Sequence, residues 1–428
     1  MQLLLSAGEA SGDTYGSQLI ESLHQLAPGS TFFGMGGEKM RASGAELLVH
    51  ANEVAVVGLV EVVRHLPDIR RRFKHLVAEA GRRKPDAAIL IDFPDFNLRL
   101  ARELHRLGIP VFYFVSPQIW AWRTGRVQQI RKYVRKMIVI FPFEQEFYAR
   151  HGVEVSYVGH PLAYVPQPQI SREEFAAKHF LDPKKQWIAL LPGSRRKEVR
   201  LNLPVMAEAA RLLQKPDSEF EFLLPVASTL NQEWLREQLE MQGLKPKSFG
   251  GSERGPKGLL HPASGNGTEK TKSDREERVA EYSRKQNVPN GLFVQFTDNA
   301  RATLMHARAA VVASGTATVE AALSGTPFIV VYRLAPLTWL LGRRLVKLDT
   351  FAMPNLIAGK KIVPELIQKD FTAQNVLKEL NAIIPDGPAR RQMEADLKMV
   401  QQRLCDSEHA ESPAQRAARE ILGALTSA

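Results

Sequence analysis

Gln2-Leu-Leu-Leu-Ser-Ala-Gly-Glu-Ala-Ser-Gly-Asp13 runs from an apolar stretch into a glycine-bounded turn. Leu19, Ile20, Leu23 and Leu26 follow at helical spacing, and Pro28-Gly29 stops the pattern. A buried strand, a turn and an amphipathic helix in that order open a βα unit. Phe32 and Phe33 begin a second extended segment, and Ala87–Ile91 is a buried-strand candidate ending at Asp92-Phe-Pro-Asp-Phe-Asn97. A helix from Leu98 to Leu107 leads through Gly108-Ile-Pro110 to the strand Val111–Val115. Met137–Phe141 and Val155–Val158 complete the series at Gly159-His-Pro161. Strands alternating with helices predict an α/β fold built on a parallel sheet with helices on both faces.

The pattern then restarts. Trp187–Leu191 is a buried strand followed by Pro192-Gly-Ser-Arg195 and a helix from about Leu203 to Leu213. Phe220–Leu224, Leu292–Phe296, Ala309–Ala313 and Phe328–Tyr332 continue the alternation. Two facing Rossmann-like domains are expected, 1–168 and 169–364, with the boundary near Pro166 and Pro168. Residues 245–290 are rich in Lys, Ser, Gly, Pro and Glu and read as a flexible insertion, with Glu269–Gln286 suited to a charged surface helix. After Pro364 the chain reads as helical and charged, so 365–428 is expected to be a helical extension packing back on the body.

Composition narrows the function. A chain of 428 residues is long enough for two or three domains, and its core needs no disulfide or metal staple. A single cysteine, Cys405, favours a reducing compartment. The N-terminus lacks a basic region and a signal-length apolar stretch, and no run of about 18 apolar residues occurs. The expectation is a cytosolic chain that touches a membrane. A net charge of +11 invites an anionic partner, which composition leaves open among nucleic acid, an acidic membrane and a phosphorylated substrate.

Three turns between strand and helix could carry chemistry. Gly8–Asp13 converges backbone N–H groups on a polar ligand or anion, yet its glycines fit neither the dinucleotide fingerprint nor a P-loop. Read alone it is equally a tight turn with Ser11 or Asp13 as N-cap. Gly193, Ser194 and Arg195 at a helix start suit a pyrophosphate. Ser314, Gly315 and Thr316 form a third such turn, with Glu320 one helical turn on, placed to accept from ribose hydroxyls. Each is also what a plain capped helix start looks like; two in one domain point to a nucleotide diphosphate.

Asp92 ends a buried strand, the usual edge for catalytic residues, and is the better general-base candidate. Asp95 follows Pro94 and suits a helix cap. No Asp-x-Asp pair, H-E-x-x-H motif or cysteine cluster supports a metal site. Ser116-Pro-Gln-Ile-Trp-Ala-Trp122 precedes Arg123 and Arg126, and its tryptophans suit base stacking, a sugar platform or a core equally well. Val54–Leu66 before Arg70-Arg-Arg72, and Leu334–Lys347, are apolar segments bordered by positive charge, as interfacial membrane binding requires and as packed helices also show.

In order, Gly8–Asp13, Asp92–Asn97, Val115–Arg123, Leu190–Arg195, Ala313–Ala317, Tyr332-Arg333, Met353–Gly359 and Val363-Pro-Glu365 resemble the lipid-A-disaccharide synthase family, from the first strand to about Gln368. The insertion at 245–290 is a departure that the family pattern does not require. The resemblance implies a glycosyltransferase of the B-type fold that needs no cofactor and no metal. It implies transfer of 2,3-diacylglucosamine from its UDP derivative to 2,3-diacylglucosamine 1-phosphate, giving the β-1,6-linked disaccharide 1-phosphate and UDP. Glu9 and Ser11 are then expected on the acceptor side with Asp92 as base, Asp95 remaining open for that role. Gly193, Ser194, Arg195, Ser314, Gly315, Thr316, Glu320, Asn355 and Glu365 are expected to serve substrate binding. The expected partners are the UDP-linked acylated donor, the acylated sugar phosphate acceptor, the inner-membrane surface of a Gram-negative-type bacterium and a second copy in a homodimer; nucleic acid is not one. The competing readings are another UDP-sugar transferase or an epimerase of the same fold, a nucleic-acid-binding protein, and a non-catalytic peripheral membrane protein.

Overall fold

The computed structural model describes residues 1–54, 59–122, 124–214, 220–247, 292–334, 350–405 and 411–426. Among the described residues the chain divides into two compact units, the first built from the stretches up to Val165 and from Gln402 onward, the second from Pro166 to Leu334 and from Thr350 to Gln401. Most of the expected insertion, the apolar segment beyond Leu334, Arg123 and the side chains of 55–65 lie outside the described residues.

In the first unit the strands are β1 (Gln2–Ala7), β2 (Thr31–Gly36), β3 (Ala45–His50), β4 (Ala87–Ile91), β5 (Val111–Phe114), β6 (Lys136–Val139) and β7 (Val155–Tyr157). They form one sheet in the order β3-β2-β1-β4-β5-β6-β7, parallel at every pairing. Side chains alternate across it. Leu3, Leu5, Ile89, Phe112 and Ile138 pack on one face, and Leu4, Phe33, Leu90, Tyr113 and Met137 on the other, as a sheet buried on both sides demands. The C-terminal helix Pro413–Thr426 adds Ala417, Ala418 and Ile421 to the first of these cores. It lies against the helix Ala10–Leu26 that follows β1.

The second unit repeats the architecture with β8 (Gln186–Leu191), β9 (Phe220–Pro225), β10 (Lys245–Lys247), β11 (Phe293–Thr297), β12 (Ala309–Ala313), β13 (Phe328–Tyr332) and β14 (Glu365–Ile367). Its sheet order is β10-β11-β9-β8-β12-β13-β14, again all parallel.

Two readings are corrected here. Lys245–Lys247 is an edge strand paired with β11, not part of a flexible insertion. Glu365–Ile367 extends the sheet beside β13 where the sequence reads as helical. Both are three residues long, too short for a period to register, and neighbouring strands supply their hydrogen bonds. The helices Ala373–Ile383 and Pro388–Leu404 follow as the later pattern predicts.

In each sheet the chain reverses its winding direction once. β1 and β4 flank that point in the first unit, β8 and β12 in the second. Ligands of open α/β sheets bind outside the carboxyl ends of the strands at this switch point.

Candidate functional site

At the first switch point Ala7 pairs with Ile91, so the turns Gly8–Ser11 and Asp92–Pro94 leave the sheet side by side. They are in van der Waals contact: a Cβ on Gly8 would lie 2.3 Å from the Phe93 ring. Glu9 is the N-cap of the helix Ala10–Leu26 and caps with no side-chain bond. Both Glu9 and Ser11 face solvent. Neither Ser11 nor Asp13 is the N-cap. Asp13 is buried and accepts from the amides of Gly37, Lys39 and Met40 at 2.7–3.1 Å, tying the first helix to the turn after β2.

Asp92 is held in an unusual conformation. Its φ is +45°, Phe93 follows at +51°, and Val115 at the end of the adjacent β5 stands at +62°. Positive φ is uncommon for any side chain and an outlier for a β-branched one. The Asp92 carbonyl accepts from Asn97 Nδ2 at 2.8 Å and Tyr113 OH at 2.6 Å. Asn97, wholly buried, also donates to the carbonyls of Ser6 and Ile91 and accepts from Ser6 Oγ at 2.7 Å. The backbone is therefore clamped from β1, β4 and β5, and the half-buried carboxyl is presented at the edge. Burial raises its pKa to about 6, the Glu9 charge adds to the rise, and the Phe93 amide opposes it. Asp95 is placed differently. It is exposed in the first turn of the helix Pro94–Arg106, whose N-cap is Phe93, and it pairs with Arg126.

One group at this edge has no counterpart in the sequence reading. Glu144, at the start of the helix Pro142–Arg150 after β6, is wholly buried. Burial pushes its carboxyl up to about 8, and the Asp92 charge contributes. In sequence Pro142-Phe-Glu144 looks like an ordinary exposed helix start; a glutamate three residues after the expected strand Met137–Phe141 is the only available signal.

At the second switch point Val312 pairs with Leu191, which sets the two anion-friendly turns beside each other. Gly193 has φ +126°, and a Cβ there would lie 2.5 Å from Glu198 Oε2. That same oxygen accepts from the amides of Ser194 and Arg195 at 3.1 and 3.3 Å. The turn thus already cradles a negative group, its own helix's carboxylate, in the geometry an anion would use. Arg195 is the exposed N-cap of the helix Arg196–Leu213. Ser314, Gly315 and Thr316 lead into the helix Thr316–Ser324 with no side-chain cap. Its Glu320 is half-buried, with a pKa raised by burial and drawn back by the Arg301 charge. Tyr332 at the end of β13 feels the charges of Glu198 and Arg195 and so belongs to the same edge.

Asn355 and Glu365 stand apart in role. Asn355 is wholly buried. Its Nδ2 donates to the Val363 carbonyl and Glu365 Oε1 at 3.0 and 2.6 Å, and its Oδ1 accepts from the amides of Ile362 and Val363 at 2.7 and 2.9 Å. Glu365 also accepts from the Phe351 amide at 2.9 Å and from Thr350 Oγ1. Among the described residues no group of three or more His, Cys, Asp or Glu is placed to hold a metal ion.

A family model described as lipid-A-disaccharide synthetase matches residues 3–255 and 269–420. The chain belongs to that family. The break in the match, 256–268, falls inside the segment that interrupts the alternation of strands and helices. The lipid-A-disaccharide synthase of Koribacter versatilis (strain Ellin345) is 48% identical over 99% of this chain and 98% of its own. That of Acidobacterium capsulatum is 48% identical over 94% of this chain and 91% of its own. The chain is accordingly a glycosyltransferase of lipid A biosynthesis. Among solved structures, the glycotransferase of kitacinnamycin superposes with a TM-score of 0.57 at 14% identity, covering 99% of this chain and 98% of that one. The UDP-GlcNAc 2-epimerase of Neisseria meningitidis, bound to UDP-GlcNAc, superposes at 0.55 and 12%, covering both chains fully. At such identities these two establish only the fold, the glycosyltransferase B-type, and it is the family match that separates transferase from epimerase.

Proposed function

We propose that this chain transfers 2,3-diacylglucosamine from its UDP derivative to 2,3-diacylglucosamine 1-phosphate by direct displacement with inversion, with Asp92 as the general base. The observation that carries the reading is the clamped carboxyl at the end of β4. With a pKa of about 6 it is ionised about ten to one at neutral pH, yet basic enough to take a proton in the transition state. In this mechanism the acceptor's 6-hydroxyl gives its proton to an Asp92 oxygen, and its own oxygen attacks the donor's anomeric carbon. The bond from that carbon to the β-phosphate oxygen breaks, and the electron pair leaves with UDP. Glu9 and Ser11, in the turn beside Asp92, line the acceptor side. Asp95 is already engaged by Arg126, which favours Asp92 for the base.

The donor's diphosphate is assigned to Gly193, Ser194 and Arg195 with Ser314, Gly315 and Thr316. Amides at two helix starts and one guanidinium stabilise the departing charge, and Glu320 receives the ribose hydroxyls. Glu198 occupies the first of these turns until the diphosphate replaces it. Asn355 and Glu365 act indirectly, because their hydrogen bonds are spent on holding the loop before β14. The acylated substrates place the enzyme on the cytoplasmic face of an inner membrane. No helix among the described residues is long and apolar enough to cross one, and the basic stretch of Arg70, Arg71 and Lys74 on the helix Leu59–Arg83 suits an anionic surface.

The test is to incubate the purified protein with both acylated substrates and to measure UDP release and disaccharide. Unacylated UDP-N-acetylglucosamine should not be consumed. Its conversion without an acceptor would replace this reading with an epimerase.

A further inference from the structure

Glu144 carries an inference beyond the base itself. Glu144 is 1% exposed, and burial to that degree is costly for a carboxyl unless hydrogen bonds offset it. Oε1 accepts from Trp120 Nε1 at 3.1 Å, and Oε2 from the Phe141 amide at 3.3 Å. The Ser116 hydroxyl donates to the Pro117 carbonyl at 3.0 Å and lies 2.8 Å from the hydroxyl of Tyr148, which is itself buried and stands on the same helix as Glu144. Three segments are joined by this cluster: the turn after β5, the short helix Ile119–Trp122, and the start of Pro142–Arg150. A helix start needs only an exposed glutamate at this position, so capping does not explain the burial.

What the cluster fixes is the Trp120 ring. Its one polar atom is turned inward onto Glu144, so the part of this half-buried indole that remains uncovered is carbon. Phe143 meets it edge-on at 4.9 Å, which sets the plane of the ring. The Asp92 amide donates to the carbonyl of Val115 at 3.3 Å, the residue before Ser116, which puts the cluster that holds the indole at the same sheet edge as the proposed base.

We propose that Glu144 is a positioning residue that holds the Trp120 indole beside Asp92 as a wall against which the C–H face of the acceptor's hexosamine ring packs. The proposal rests on the reading of the Asp92 edge as the acceptor side. Sugar rings present such apolar faces, and an indole fixed in one orientation receives one without paying to order itself.

Initial rates of the full-length protein, with the acceptor varied in detergent micelles at saturating donor and then the reverse, test it. Trp120→Ala and Glu144→Ala should each raise the acceptor KM about tenfold, the equivalent of about 1.4 kcal/mol, and leave the donor KM unchanged. Glu144→Gln keeps a carbonyl for the indole N–H and should restore the acceptor KM to within about threefold of wild type. Trp120→Phe, a small change at a half-buried position, keeps the question answerable if Glu144→Ala does not fold; it too should raise the acceptor KM. Equal rises in both KM values would mean a merely structural cluster, and a rise in the donor KM alone would place the donor there; either overturns the proposal. Asp92→Asn in the same assay separates the two levels. If it turns over normally, the acceptor-side reading fails. If it is inactive while the Trp120 variants bind acceptor normally, only the role given to Glu144 fails.

Discussion

Replacing Asp92 by Asn should remove activity and make the protein more stable. The carboxyl is raised from 3.8 to about 6, chiefly by burial, and at about 1.4 kcal/mol per pKa unit its ionised form costs the fold about 3 kcal/mol as a ceiling. The sign follows from linkage. A carboxyl raised in the folded state imposes no penalty below pH 3.8, where both states are protonated. The penalty grows as pH rises toward 6 and is complete above it. Asn keeps the shape and an acceptor for the Phe93 amide but carries no charge. At pH 7.5 the variant should therefore melt above wild type by up to about 6–12 °C, at roughly 2–4 °C per kcal/mol, and near pH 4 the two should melt together. Turnover should fall by about 10²–10⁴, the usual worth of a general base. Melting curves at both pH values and a UDP-release assay supply the data. A variant that melts below wild type at pH 7.5, or is stabilised equally at pH 4, would refute the claim that the site stores desolvation energy. Near-normal turnover would remove Asp92 from the base role.

Two further outcomes follow from the same groups. The acid limb of kcat/KM should bend near pH 6, and Glu9→Gln should move it to lower pH, because the Glu9 charge helps to raise Asp92; a limb that does not move would show that the two side chains do not interact in solution. Asn355→Ala leaves two buried amides, a carbonyl and a carboxylate short of a partner and should cost about 2–4 kcal/mol in denaturant unfolding, whereas a loss under about 1 kcal/mol would mean that the loop before β14 is held by other contacts.

The alternation of strands and helices was legible because nearly every long strand is buried on both faces and reads as a continuous apolar run. The exceptions share a cause. Ala45–His50 is an edge strand with mixed polarity, and β10 and β14 are three-residue strands that exist only because a neighbour offers hydrogen bonds. At the site, the turns were legible because each joins a strand end to a helix start, but which turns adjoin was not. That depends on sheet order, and sheet order brings residues 8 and 92 together, and residues 193 and 314. Asn355 shows the opposite limit. The motif that contains it can be recognised in sequence, yet only the structure shows that its amide is consumed by backbone. Glu144 was invisible for a related reason: the same glutamate reads identically whether it faces water or the interior.

The strain at Asp92 explains why so much of the first unit's polar interior is gathered at one point. Asp92, Phe93 and Val115 each occupy a region of φ that costs of order 1–3 kcal/mol for a residue with a side chain. An unstrained β4 would continue its pleat and send the next side chain to a face of the sheet, into one of the two cores. The left-handed turn instead carries the Asp92 carboxyl outward, to the edge where ligands of such sheets bind. That conformation persists only if the carbonyl it displaces finds partners, and Asn97 and Tyr113 provide them. Tyr113 is wholly buried in β5, and Asn97 is anchored through Ser6 in β1. Tyr113 from β5 and Asn97 from the helix after β4, itself tied to β1, therefore meet on a single backbone oxygen. A polar network of this kind would be wasteful in a strand whose only task was packing; here it lets the fold hold a half-buried carboxyl at the switch-point edge of the sheet.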